Sequence, residues 1–193
     1  MKIGIVIPAH NEEHYLSACL QSIQVAIDNI GGYEVEVLVV LDSCTDQSRL
    51  IVQSHQINWI ECNYACVGKA RDLGIRHLIG RGVTWIACTD ADTVVSPDWL
   101  RYQIQHQPTD AICGTVTLDD FSHLSITKQQ KYLAHYKDQM DHAHIHGANL
   151  SFSAEVYLLV GGFEPISCHE DVSLIKKLIK HCCNITWSNL VRV

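Results

Sequence analysis

Val83-Thr84-Trp85-Ile86-Ala87-Cys88 is an apolar run that leads into Asp90-Ala91-Asp92, and the reading of this stretch decides the fold. Side chains at i and i+2 of an extended segment point to the same side. The two carboxylates are therefore expected to converge where a buried strand leaves its sheet. Two acids so placed repel each other unless a positive charge sits between them. A hard divalent cation with open positions suits oxygen ligands and bridges to phosphate oxygens. The pair thus points to a metal-assisted phosphate or nucleotide-sugar site. The alternative is a solvated turn ahead of Ser96-Pro97-Asp98, because Asp is common in turns.

Upstream, Lys2 to Ile7 reads as a buried strand closed by Pro8. Asn11 reads as a helix N-cap, with Glu12 and Glu13 in the first turn where acids suit the helix dipole. Leu16, Leu20, Ile23, Ile27 and Ile30 recur at steps of four and three, one face of an amphipathic helix, and Gly31-Gly32 ends it. Val35 to Leu41 forms a second buried strand ending at Asp42, and Ser43-Cys44-Thr45-Asp46 turns into a short helix. Ile57 to Glu61 is a weaker third strand, Gly68 to Ile79 a helix, and a further helix begins near Pro97. Apolar strands alternating with helices predict an α/β domain with a largely parallel sheet. Ligands bind beyond the carboxyl ends of such strands. Pro8 to Asn11, Asp42 and Asp90 to Asp92 all fall at those ends, which favours a site over a solvated turn.

The second half is less regular. Ala111 to Leu118 reads as a strand, and Thr127 to His144 carries helical spacing through Tyr132, His135-Tyr136 and Met140. Gly147 to Phe152 reads as a turn into a short strand, Glu155 to Val160 as a helix stopped by Gly161-Gly162. Cys168-His169-Glu170-Asp171 caps a helix with Leu174, Ile175, Leu178 and Ile179 inward, and Asn184 to Asn189 is a last strand.

A chain of 193 residues, 47% hydrophobic and 18% charged, suits one globular domain with a real core. Its net charge of −7 argues against a general affinity for nucleic acid or anionic membrane. No apolar run approaches the ~20 residues of a membrane span, and the N-terminal run is too short for a signal-peptide core. A soluble, cytoplasmic protein is expected. Nine cysteines, an odd number, favour free thiols. Cys19, Cys88 and Cys113 sit among apolar residues as small core side chains. Cys62, Cys66, Cys182 and Cys183 lack the spacing of the common zinc modules.

Taken in order, the motifs resemble those of the family 2 glycosyltransferases, inverting enzymes of the GT-A fold. The matching pieces are Val6-Ile7-Pro8-Ala9-His10-Asn11-Glu12-Glu13, Val39-Val40-Leu41-Asp42-Ser43-Cys44-Thr45-Asp46 and Gly68-Lys69-Ala70-Arg71-Asp72-Leu73-Gly74. Thr89-Asp90-Ala91-Asp92, Ser96-Pro97-Asp98-Trp99-Leu100, Gly147-Ala148-Asn149, Gly161-Gly162-Phe163 and Glu170-Asp171 follow. The resemblance implies one GT-A domain over 1–193, a Rossmann-like, mostly parallel sheet with helices on both faces. Residues 1–100 would hold a nucleoside diphosphate sugar, of UDP or GDP type, and 101–193 an acceptor hydroxyl of unknown identity. It implies that Pro8, Ala9 and Glu12 meet the nucleotide, that Asp42 hydrogen-bonds the base, and that Lys69 and Arg71 offset the diphosphate charge. Asp92 would ligate Mn²⁺ or Mg²⁺ directly, and Asp90 would lie nearer the ribose or sugar. Asp171 would be the base, with Glu170 as the alternative.

Departures from the pattern are informative. Leu41 stands where many members carry an acid, and Asp72 replaces a more usual Asn. The chain ends soon after Trp187 with no Gln-x-x-Arg-Trp motif, which favours a single transfer over processive synthesis. These changes leave room for a nucleotide-sugar-binding module with weak turnover. A sugar nucleotidyltransferase is disfavoured, because Pro8 to Glu13 is acidic and lacks the glycines that cradle a triphosphate. His142, His144 and His146 alternate, so an extended segment would present all three on one side, with His135 upstream. That side is expected to be the acceptor cleft or a metal, or else an exposed helix end.

Overall fold

The computed structural model describes residues 1–117, 125–127, 136–166 and 168–193. Strand β1 (Lys2–Ala9) lies inside the sheet, because its two faces are both apolar: Ile3, Ile5 and Ile7 on one, Val6 on the other. The parallel neighbours β2 (Glu34–Asp42) and β4 (Trp85–Cys88) flank it, and β3 (Asn58–Cys62) adds to β2. Past β4, β6 (Leu150–Ser153) runs antiparallel to β4 and to β5 (Ala111–Thr115), and β7 (Ile185–Arg192) pairs in parallel with β5. The order is β3-β2-β1-β4-β6-β5-β7, the mostly parallel sheet that the sequence predicts. From β1 the chain proceeds outward one way through β2 and β3 and the other way through β4. The gap between the carboxyl ends of β1 and β4 is therefore the topological switch point where a ligand crevice opens.

Helices cover both faces, each burying its apolar stripe. The helices α1 (Leu16–Asp28), α2 (Ser48–Ser54) and α4 (Trp99–Gln105) pack on the Ile3-Ile5-Ile7 face. On the other face lie α3 (Val67–Gly80), α5 (Ala154–Leu159) and α6 (Glu170–Lys180). The approach of α3 is close. A Cβ on Gly74 would stand 2.6 Å from Val6 and 2.7 Å from Val40, so only glycine lets this helix settle on β1 and β2. Among the described residues no helix is long and apolar enough to cross a membrane.

Several boundaries differ from expectation. Asn11 is not a cap: it sits in the left-handed region at φ 58°, and α1 begins at Leu16. Ile179 is 57% exposed, because α6 buries only the stripe of Leu174, Ile175 and Leu178. Strand β5 stops at Thr115, and Leu118 lies outside the described residues. Of the helix expected from Thr127 to His144, residues 128–135 lie outside them, Tyr132 and His135 included. What is described of its end, 136–146, is not helical and leads into a short 3-10 turn at Gly147–Asn149.

Candidate active site

Two loops at the strand ends are latched to each other. Asn11 Oδ1 accepts the backbone N–H groups of Thr45 (2.7 Å) and Asp46 (3.3 Å). Asp46 Oδ2 in return accepts the Glu13 N–H, and Glu13 Oε2 the Gln47 N–H. Polar residues that read as helix caps thus serve as staples between the β1–α1 and β2–α2 loops. Asp42 does the same for the loop into α3. Its carboxylate accepts N–H groups from Tyr64 (2.7 Å), Ala65 (3.0 Å) and Cys66 (3.0 Å). Burial pushes this carboxyl up, but the three backbone donors and the Ser43 hydroxyl outweigh it and hold Asp42 below the usual range.

These loops wall a cavity of about 390 Å³ at the switch point. Pro8, Ala9, His10 and Glu12 supply one side, Asp90, Ala91 and Asp92 another, and Asp42 with Ala65 to Val67 and Ala70 the third. Asp90 and Asp92 converge by a turn, in which Asp90 C=O accepts the Thr93 N–H at 3.2 Å, and not as i and i+2 of a strand. The turn reading of this tripeptide therefore holds, and both of its carboxylates line the cavity. Four of the lining residues are carboxylates and none is Lys or Arg. Burial, then Asp92, Asp46 and Asp90, push the Glu12 carboxyl above its ordinary value. Among the described residues no three or more His, Cys, Asp or Glu side chains are gathered so as to hold a metal ion, while the carboxylate oxygens of Asp90 and Asp92 are donors of the kind a hard divalent cation takes.

Behind the cavity lies a buried cation. Arg71 is 2% exposed, and its guanidinium pairs with Asp90 through one nitrogen and with Glu170 through another. Gly147 covers it so closely that a Cβ there would meet Arg71 Nη1 at 2.4 Å. The Gly147 N–H donates to Asp171 Oδ2 at 2.8 Å, and the Val172 N–H to Asp171 Oδ1 at 2.7 Å. Asp90, Arg71, Glu170, Asp171 and Gly147 thus form one connected chain. Glu170 is 5% exposed and committed to Arg71, whereas Asp171 is half-buried.

Some residues take roles other than those the motifs suggest. Lys69 is absent from the cavity lining and exposed, with its Nζ 5.9 Å from the Tyr64 ring centroid. Arg71 faces protein carboxylates and does not line the cavity. Asp72 accepts from Tyr157 Oη at 2.7 Å and Arg76 Nε at 2.8 Å, tying α3 to α5. Asn149, 1% exposed, accepts from Trp99 Nε1 and donates to the Thr115 and Val191 carbonyls, so it braces α4, β5 and β7. The sequence reading missed His10, whose Nδ1 donates to Asp42 C=O at 2.7 Å, and the Ala65–Cys66–Val67 wall. Only the left-handed turn at Ala65 (φ 46°) distinguishes that wall, and composition gives no sign of it.

The model of the family described as Glycosyl transferase family 2 matches residues 4–157. Glycosyltransferase GlyA of Streptococcus pneumoniae serotype 4 is 32% identical over 105 residues, 52% of this chain and 14% of that protein. The crystal structure of S. aureus TarS 1-349 in complex with UDP-GlcNAc superposes with a TM-score of 0.72 at 17% identity, covering 98% of this chain and 56% of that one. Mannosyltransferase PcManGT from Pyrobaculum calidifontis, in complex with GDP-Man and Mn²⁺, gives 0.74 at 17% identity, covering 99% and 55%. At these identities the likeness to the solved structures is one of fold. The chain spans a small part of the curated relative and little more than half of the two solved chains.

Proposed function

This chain belongs to glycosyl transferase family 2, and from that premise we propose that it moves a single sugar from a nucleoside diphosphate sugar to an acceptor hydroxyl with inversion. The acidic cavity at the switch point carries the proposal. A diphosphate set beside four carboxylates is repelled at short range unless a cation accompanies it. Asp92, with Asp90 beside it, would hold Mn²⁺ or Mg²⁺, which when bound supplies Lewis-acid stabilisation to the leaving diphosphate. TarS in complex with UDP-GlcNAc, and PcManGT in complex with GDP-Man and Mn²⁺, support this class of donor and metal. In this reading Pro8, Ala9, Glu12 and Asp42 face the nucleoside and Asp90 the ribose or sugar. Arg71 acts from beneath by orienting Asp90.

Asp171 is the base. Its carboxylate takes the proton of the acceptor hydroxyl as that oxygen attacks the anomeric carbon, and the bond to the diphosphate oxygen breaks on the opposite face. The commitment of Glu170 to Arg71 supports Asp171 over its neighbour. The cavity lining, all of it between Pro8 and Asp92, supports residues 1–100 as the donor half and leaves 101–193 for the acceptor. The nine free thiols support a reducing, cytoplasmic setting.

Thermal-shift titration against UDP-, GDP- and dTDP-sugars, with and without Mn²⁺, tests the donor and the metal together. A shift that needs both ligands is expected. Asp92→Ala and Asp171→Asn, each folded, are expected to lose at least about 10²-fold in turnover. Donor binding indifferent to metal, or full turnover in Asp171→Asn, would remove the corresponding assignment.

A further inference from the structure

The alternating histidines form a ladder. Tyr136 stacks on His144 with centroids 4.2 Å apart and planes 6° from parallel. His144 stacks in turn on His142 (5.4 Å) and His146 (6.0 Å), and His142 meets Trp187 of β7 edge-on at 5.8 Å. The hydrogen bonds give two of the ring nitrogens acceptor roles. His142 Nδ1 accepts the His144 N–H at 3.1 Å, and His144 Nε2 accepts the Lys137 N–H at 3.0 Å. A backbone amide only donates, so both ring nitrogens act as acceptors in this arrangement. The Tyr136 oxygen accepts the Val116 N–H at 2.7 Å and stands 3.3 Å from His146 Nε2. The last rung precedes Gly147, whose N–H holds Asp171.

We propose that this ladder is a positioning element for Asp171. With its ring nitrogens accepting these bonds and its rings stacked, it fixes the backbone at 146–147 so that the Gly147 N–H grips the carboxylate, and protonating a rung releases that grip. The proposal rests on Asp171 being the base. A proton added to an accepting nitrogen turns it against the donor it faces and places a cation among stacked neighbours. Burial first, then the neighbouring His144, hold His142 and His146 below the ordinary imidazole value. Among the described residues, the charges acting the other way are Asp171 of α6 on His146 and Asp138 on His142, the latter also paired with Arg192 of β7. Cys113 of β5, buried and pushed up to about 12, stays neutral beside Asp171. The grip is complete above the ordinary value of about 6.5 and lost as pH falls through the lowered values.

The test follows the three imidazoles and the Gly147 amide by NMR through an acid titration of the unaltered protein, which needs no activity and no variant. The Gly147 amide is expected to shift with the midpoint of an imidazole. A shift that follows only a carboxylate midpoint, or none while the rings titrate, overturns the proposal. In His144→Gln the outer rungs lose their shared like-charge neighbour. Their midpoints and the acid limb of kcat are expected to rise together, kcat falling about tenfold per pH unit below that midpoint, with donor KM unmoved. An acid limb that stays put while the imidazole midpoints move overturns it. Failure of the base assignment shows separately, as turnover surviving in Asp171→Asn.

Discussion

Lys69 and Arg71 belong to one motif, yet one is exposed and the other buried. The cause is helical geometry: residues i and i+2 lie on nearly opposite faces. Arg71 points down into the protein, where its fork serves Asp90 and Glu170 together, and a lysine would offer one point charge in place of two directed donors. Arg71→Met leaves two buried or half-buried carboxylates without their cation and is expected to cost about 3–5 kcal/mol, read from urea unfolding. Arg71→Lys is expected to retain part of that stability and to lose donor affinity as Asp90 loosens. Gly147→Ala, which forces a Cβ onto the guanidinium, should reproduce the activity defect of Arg71→Lys without removing any charge.

At the scale of elements, the apolar periodicity placed most strands and helices close to where they lie. The loops were harder to read. Asn11 and Glu13 carry the chemistry of a helix start, and nothing local says that each will instead bind a loop more than thirty residues away, whereas Asp46 both caps the entry to α2 through the Ser48 N–H and reaches the Glu13 N–H. The partner of a polar side chain becomes visible only when a second strand end arrives beside it. The packing of α3 on the sheet depends on the bare face at Gly74. Gly74→Ala is expected to destabilise by about 1–3 kcal/mol, lowering the denaturant midpoint without changing the slope, because the added methyl overlaps Val6 and Val40.

For the whole molecule, acid sensitivity follows from how the groups are held. Asp42 lies below its ordinary value of 3.8, so its stabilisation is complete above that pH and lost as pH falls through the lowered value. His142 and His146 lie below 6.5, so theirs is complete above it and lost on acidification through their own lowered values. Calorimetry should show the thermal midpoint falling in two stages, imidazole first and carboxylate second. Glu12, held above its ordinary value, acts in the opposite sense at neutral pH, and added Mn²⁺ is expected to relieve it and raise the midpoint.

What the sequence determined by itself was the alternation of buried strands and helices, the parallel sheet it requires, and the acids at the strand ends. Those features are local: an apolar run, a helical period and a terminal carboxylate need no distant partner to be read. Only the tertiary structure decided that the strand order switches sides between β1 and β4, and so brings Glu12 to Asp92 across eighty residues. It also decided that Arg71 lies beneath the cavity, that Asp72 and Asn149 are braces, and that the histidines stack into a ladder ending at Asp171. Each of these depends on which surfaces become neighbours when two distant segments pack, and that information belongs to the pair of segments and to neither alone.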